Sequence, residues 1–221
     1  MKFPKYLLPV LCLALIGCAT SRSSLNIQVP MAVQPSQEDS IGQIYIRSVV
    51  DQREFQDRPS SPDVPSLRGK KASKASAELK SQAIGRKRNS MGQALGDFVL
   101  EGSTVKELIY HLTRNALSSL NYEVTNDKEA AKPDAIILDV KINKLWSWFV
   151  PGFSWIHIRS NILTTNEFTW PDKMAKTLMV EASVEESYQI ATNSNWRRTL
   201  VSSTEYFERR AKIKFKELKP E

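Results

Sequence analysis

Thiols are almost missing from this chain of 221 residues: it has two cysteines, Cys12 and Cys18, and none beyond residue 18. A domain built from the remainder has no disulfide to lean on and must be stabilised by its own core. Histidine is as scarce, with His111 in a helical pattern and His157 in a strand pattern, neither beside an acid or a cysteine in sequence. Two isolated imidazoles make neither a metal set nor a nucleophile–base pair, and a structural place suits each better. Also missing are a phosphate-cradling glycine loop, zinc-ligand spacing and a nucleophile elbow. These absences argue against an enzyme and against a cofactor, and leave binding or structural roles.

What is present is clearest at the start. Lys2 and Lys5 precede an apolar run from Tyr6 to Ile16. A basic start before an apolar stretch too short to span a bilayer is the layout of a secretory signal. The run ends in Leu15-Ile16-Gly17-Cys18, which resembles the bacterial lipobox. The resemblance implies cleavage after Gly17, a diacylglyceryl group on the Cys18 thiol and acylation of the new amino terminus. Three acyl chains hold firmly, since each buried methylene contributes about 0.8 kcal/mol. Ala19 and Thr20 follow the cysteine instead of an aspartate that retains many such proteins at the inner membrane. By that resemblance the destination is the periplasmic side of the outer membrane.

The formal charge of +7 falls to +5 once Lys2 and Lys5 leave with residues 1–17. It is concentrated: Arg68, Lys70, Lys71, Lys74, Lys80, Arg86, Lys87 and Arg88 stand against the single acid Glu78. Residues 18–40 read as a lipidated terminus and flexible tether rich in Ser, Gln and Pro. Residues 56–90, with Pro59, Pro62, Pro65 and many serines, read as a disordered basic insert whose removal costs little stability. The remainder of 41–221 is expected to form one domain.

Ile44, Ile46, Ser48 and Val50 alternate with Tyr45, Arg47 and Val49, a strand pattern. A helix follows from Thr104 to Leu120, with Thr104 and Glu107 as a capping box. Val105, Leu108, Ile109, Leu112, Ala116 and Leu120 form its apolar stripe, and Asn121 its left-handed stop. Strands are expected over 135–148, 155–168 and 176–189, with breaks at Pro151-Gly152 and Pro171-Asp172. A last helix starting near Asn193–Asn195 turns Trp196, Leu200, Phe207 and Ala211 inward. The expectation is an α+β domain: a mainly antiparallel sheet of about four strands, two principal helices packed on it, order β-α-β-β-β-α.

Val50-Asp51-Gln52-Arg53 at the end of the first strand, Leu120-Asn121-Tyr122-Glu123-Val124 after the helix, and Pro133-Asp134 before the long strand resemble the YajG family of uncharacterised outer-membrane lipoproteins. The lipobox and the final helix after Ala191-Thr192-Asn193 fit the same layout. Asn121 stands where the family usually has glycine, a modest departure because asparagine tolerates a left-handed conformation. The 56–90 segment is longer than the family implies. The same signature is similar to other envelope lipoproteins, including curli-secretion and penicillin-binding-protein activator types. The resemblance implies fold and compartment but carries no chemistry.

Two features are candidates for binding. Trp146, Trp148, Phe149, Phe153 and Trp155 surround the Pro151-Gly152 turn, either as core under the helices or as an exposed tip that meets a partner or a membrane interface. Arg68, Lys70, Lys71, Lys74, Arg86, Lys87 and Arg88 are either a solvated loop or contacts to anionic lipid or lipopolysaccharide. Export removes nucleic acid as a partner. Asp51 and Arg53 form either a polar site or a turn fixed by side-chain hydrogen bonds, the second being favoured, and Glu185-Glu186 reads as a solvated strand pair. The reading that results is a non-enzymatic accessory or scaffold domain, held to the membrane through Cys18 and contacting an envelope protein. Its rival is a module that binds peptidoglycan or lipopolysaccharide.

Overall fold

The structure is a computed structural model that describes residues 22–36, 38–68, 72–88 and 94–218. Its strands are β1 (Ser23–Leu25), β2 (Gln43–Asp51), β3 (Ala83–Arg88), β4 (Ala94–Leu100), β5 (Glu123–Thr125), β6 (Ile136–Pro151), β7 (Ile156–Thr169) and β8 (Ala175–Tyr188). The helices are α1 (Ala77–Gln82), α2 (Val105–Ser118) and α3 (Asn193–Phe215).

All eight strands belong to one sheet, and β6 is its axis. One edge of β6 pairs antiparallel with β7 along its length, and β7 pairs likewise with β8. The other edge is shared. Ile136–Ile142 pair parallel with β2, whereas Ser147 pairs parallel with Gly85 of β3. The sheet therefore forks, one branch continuing to β5 and the other through β3 and β4 to β1. This corrects the expectation of a mainly antiparallel sheet of about four strands in the order β-α-β-β-β-α. The sheet is mixed, curls into a half-barrel and carries three helices. Short strands such as β1 and β5 have three residues each, too few for a periodic signal, and parallel pairing leaves no mark in local sequence.

The helical expectations hold in detail. Thr104 caps α2, its hydroxyl accepting from the Glu107 amide while Glu107 accepts from the Thr104 amide at 2.7 Å. α2 ends at Ser118, two residues short of the expected limit, but all six stripe residues, Leu120 just beyond it included, are buried, and Asn121 has φ of 66°. α3 buries Trp196, Leu200, Phe207 and Ala211. Phe98 meets Trp196 at 4.6 Å between ring centroids, and Phe168 meets Phe215 edge-on at 5.4 Å. Each such fully buried side chain contributes roughly 1.5–3 kcal/mol.

β2 departs from simple alternation. Its pairing with β6 shifts between Ile46 and Ser48, so Val49 packs on the core while Val50 is exposed. One inserted residue exchanges the two faces of a strand.

A second, smaller core lies on the other face of β6. Leu145 and Phe149 point to the helices, whereas Trp146 joins Leu67 and Ala83, with Phe55, Ala75, Leu79 and Trp148 packed against them. Trp146 is fully buried, and its indole N–H donates to the Pro62 carbonyl at 3.2 Å. Lys144 ties the same loop to β6 through Asp63 at 2.8 Å. Residues 56–68 and 72–88 thus cover the sheet and supply a strand to it, which corrects, for those residues alone, the reading of 56–90 as disordered. Few apolar residues are needed because the sheet provides the large one, Trp146.

The tether reading also fails for the described part of 18–40. Leu25 is buried in the helix-side core. Asn115 of α2 donates to the Pro30 carbonyl at 2.7 Å and accepts from the Ala32 amide at 2.9 Å.

The fork is closed by Arg53, whose guanidinium is wholly buried. It donates to Asp51 Oδ1 and Oδ2, each at 2.8 Å, and to the carbonyls of Lys80 (2.7 Å), Ala83 (2.6 Å) and Leu145 (3.0 Å). Five N–H groups thus meet five acceptors from β2, α1, β3 and β6. Arg53 is a structural clamp, not part of an open polar site. Gly85 completes the join: a Cβ there would stand 2.8 Å from the Ser147 carbonyl.

Candidate functional site

The aromatic group divides across the sheet. Trp146 is buried in the outer core, and Phe149 in the helix-side core. Trp148 is half-buried, with the Lys144 ammonium 5.2 Å from its ring centre. Only Phe153 and Trp155 stand out into solvent, at 107% and 51% exposure. The partner-contact expectation is thereby overturned for Trp146 and Phe149, because alternate strand positions drive them into opposite cores. Gly152 keeps the turn tight, since a Cβ there would meet the Trp155 carbonyl at 2.3 Å.

The basic residues divide as well. Arg68 and Lys74 are exposed and line an open cavity of about 660 Å³ over Leu67 and Leu79. Arg22, which the sequence reading did not include, is the third cation at that cavity, and Glu78 is its acid. Arg86, Lys87 and Arg88 lie on β3 and are half-buried. Arg86 donates to Ser66 Oγ at 2.8 Å, and burial and nearby Arg88 lower its pKa. Lys87 donates to Ser23 Oγ at 2.5 Å and lies 4.8 Å from the Phe98 ring centre. Lys70, Lys71 and Cys18 lie outside the described residues.

Under this basic face sits Asp97, only 3% exposed. Burial pushes its carboxyl up, against the Arg68 amide that donates to both its oxygens and the charges of Arg86, Arg22 and Arg68. A buried acid ringed by arginines is a local neutraliser, and it holds the 66–68 loop on β4.

His157 acquires partners that sequence separation concealed. Pairing of β7 with β8 brings Ser187 Oγ to 2.9 Å and Glu185 Oε1 to 3.2 Å from its Nδ1. Serine, histidine and glutamate together suggest a hydrolytic triad, but both partners meet the same ring nitrogen. A relay needs the acid on one nitrogen and the hydroxyl on the other, so this arrangement cannot pass a proton between them. Glu185 also accepts from Arg159. Glu186, read as solvated, is half-buried and accepts from Tyr188, Thr199 (3.1 Å) and Ser202 (2.8 Å). Desolvation raises its pKa, but those hydrogen bonds outweigh it and hold the carboxyl lowered.

No family model matches the chain. No curated protein matches it either. Among solved structures, it is similar to a Xanthomonas campestris protein of the DUF330 family, at 10% identity over 89% of this chain and 95% of that one, with a TM-score of 0.45. It is also similar to rare lipoprotein B from Shewanella oneidensis, at 16% identity over 52% and 86% of the two chains, TM-score 0.36. A minor lipoprotein from Acinetobacter baumannii gives 13% identity over 50% and 87%, TM-score 0.30. Likenesses this distant carry no argument about activity.

Proposed function

We propose that the chain is a lipid-anchored envelope lipoprotein whose domain is a non-enzymatic accessory or scaffold, acting through contacts with another envelope protein. The observation that carries this reading is the sequence Leu15-Ile16-Gly17-Cys18 at the end of a short apolar run with a basic start. Two structural facts support it. No helix among the described residues is long and apolar enough to cross a membrane, which suits attachment by acyl chains. The cavities over α1 and beyond the end of β2 are open and lined by both signs of charge, a surface suited to contact with a partner. Placement on the periplasmic side of the outer membrane, and in the YajG group, rests on the short motifs alone. Replacing Cys18 with serine and labelling cells with a fatty acid tests the anchor: the label should vanish from the protein. Label that persists on the serine variant sinks the reading.

The second reading is a module for an anionic envelope polymer such as lipopolysaccharide, favoured by the three cations Arg22, Arg68 and Lys74 at one cavity. Clustered cations raise the local concentration of an anion, with a range of about 8–10 Å at ordinary salt. Lipopolysaccharide binding that disappears in an Arg68→Gln, Lys74→Gln double variant would favour this reading over the first.

A further inference from the structure

The strand register shows which features share one end of the molecule. Ser23 pairs with Phe98, Phe98 with Gly85, and Gly85 with Ser147. β3 runs parallel to β6, β4 antiparallel to β3, and β1 parallel to β4. β1 therefore runs against β6, and the step upstream from Ser23 to Arg22 leads toward Pro151 and the β6–β7 turn. β8 ends at the same place, Tyr188 pairing with Ile156. α3 begins there too, with Asn193 Nδ2 donating to Ser23 Oγ at 3.4 Å.

The side chains at this end are of two kinds. Phe153, Trp155 and Ile190 are exposed at 107%, 51% and 69%, in the β6–β7 turn and just after β8. Arg22, Lys87 and Arg88 lie at the ends of β1 and β3 that point the same way. Of the acids near this end, Glu185 is engaged by Arg159 and His157 and Glu186 by Tyr188, Thr199 and Ser202, while buried Asp97 and the cavity's Glu78 offset part of the charge of Arg22. The end is thus apolar and aromatic at its tip and cationic beside it. Cys18 precedes Arg22 by four residues, a stretch that cannot exceed about 14 Å whatever its course.

We propose that this end of the sheet rests on the bilayer, with Phe153 and Trp155 at the boundary between headgroups and acyl chains in the leaflet that receives the acyl chains of Cys18. The proposal rests on the lipid anchor. With so short a stretch between Cys18 and Arg22, the end that carries Arg22 stays within reach of the surface. Aromatic rings suit that half-wet layer, and cations beside them meet lipid phosphates. The domain is then not a body swinging on a tether but one held at two points, which fixes the face it turns to a partner.

The test uses the full-length protein, purified with its lipid and reconstituted into phosphatidylethanolamine–phosphatidylglycerol vesicles with plain or brominated acyl chains. Bromine quenches only tryptophan that reaches the acyl region. Wild-type emission should fall in brominated vesicles, and Trp155→Phe should reduce the quenched part several-fold. Trp170, which follows the far end of β7, serves as control, and Trp170→Phe should leave the quenched part unchanged. Mass spectrometry of the peptide containing Cys18 reports the anchor separately. Acylated protein whose quenching is the same with and without Trp155 overturns the membrane-facing end and leaves the anchor standing. A Cys18 peptide without acyl mass overturns both.

Discussion

The two faces of β6 are covered in opposite ways. On one face, α2 and α3 bury a long series of apolar side chains, among them Ile109, Leu112, Phe207 and Phe215. On the other, residues 55–68 and 72–83 cover Trp146 with Leu67, Ala83 and a few half-buried neighbours. What the outer layer lacks in apolar area it replaces with directed polar bonds: Arg53 to three carbonyls, Lys144 to Asp63, and the Arg68 amide to Asp97. Burial is roughly proportional to area and tolerates small shifts, whereas a buried hydrogen bond depends on a few atoms. The helix face should therefore yield gradually to substitution and the outer face abruptly at a few residues.

The sharpest way to break that contrast is Arg53→Met. It takes the guanidinium from three carbonyls and from the Asp51 carboxylate, which keeps only the residue-53 amide at 3.2 Å, and should cost about 3–5 kcal/mol of unfolding free energy, read from the urea midpoint. A loss below about 1 kcal/mol, no more than an average substitution causes, would show that the fork needs no clamp. Trp146→Ala comes next, at roughly 3 kcal/mol, the lower end for a buried aromatic because part of its surroundings can collapse. Hydrogen exchange should show amides of 55–68 and 72–82 losing protection while those of α2 keep theirs. Equal deprotection on both faces would mean that the two cores form one cooperative unit.

Gly85→Ala tests the join between the branches. The new Cβ meets a backbone carbonyl that cannot swing aside, so β3 must move from β6, at a cost of about 1–3 kcal/mol. The helix face has its own polar weak point in Glu186. Its carboxyl is lowered in the folded protein, so its contribution is complete above the unfolded value of about 4.3 and fades as pH falls through the lower folded value. Glu186→Gln should flatten that acid limb of the stability–pH curve, and an unchanged slope would remove Glu186 as its source. The smallest effect is expected outside both cores: Trp155→Ser should change stability by no more than about 0.5 kcal/mol, and a larger loss would show that the tip is packed.

α2 and α3 were legible because their signals are local. A capping box, a stripe at helical spacing and an asparagine able to take positive φ lie within one stretch of chain, and Thr104, Leu112 and Asn121 behave as that stretch dictates. The three long strands were legible for the same reason. Residues 56–68 and 72–88 were not, because composition describes what a segment can bury among itself, and these pack on a tryptophan supplied from elsewhere. Nor could spacing show that Glu185 and Ser187 meet His157, or that Arg22 joins Arg68 and Lys74 at one cavity; each needs a strand pairing or a loop path.

The sequence by itself determined the cap of α2, the inward residues of α3 and the courses of the three long strands, all properties of neighbouring residues. Only the tertiary structure decided that β6 divides its edge between β2 and β3, that Arg53 sits in the fork, and that Phe153 and Trp155 share an end with Arg22. Those facts depend on hydrogen-bonding partners far apart in the chain, and a backbone N–H carries no mark of which distant carbonyl it will meet.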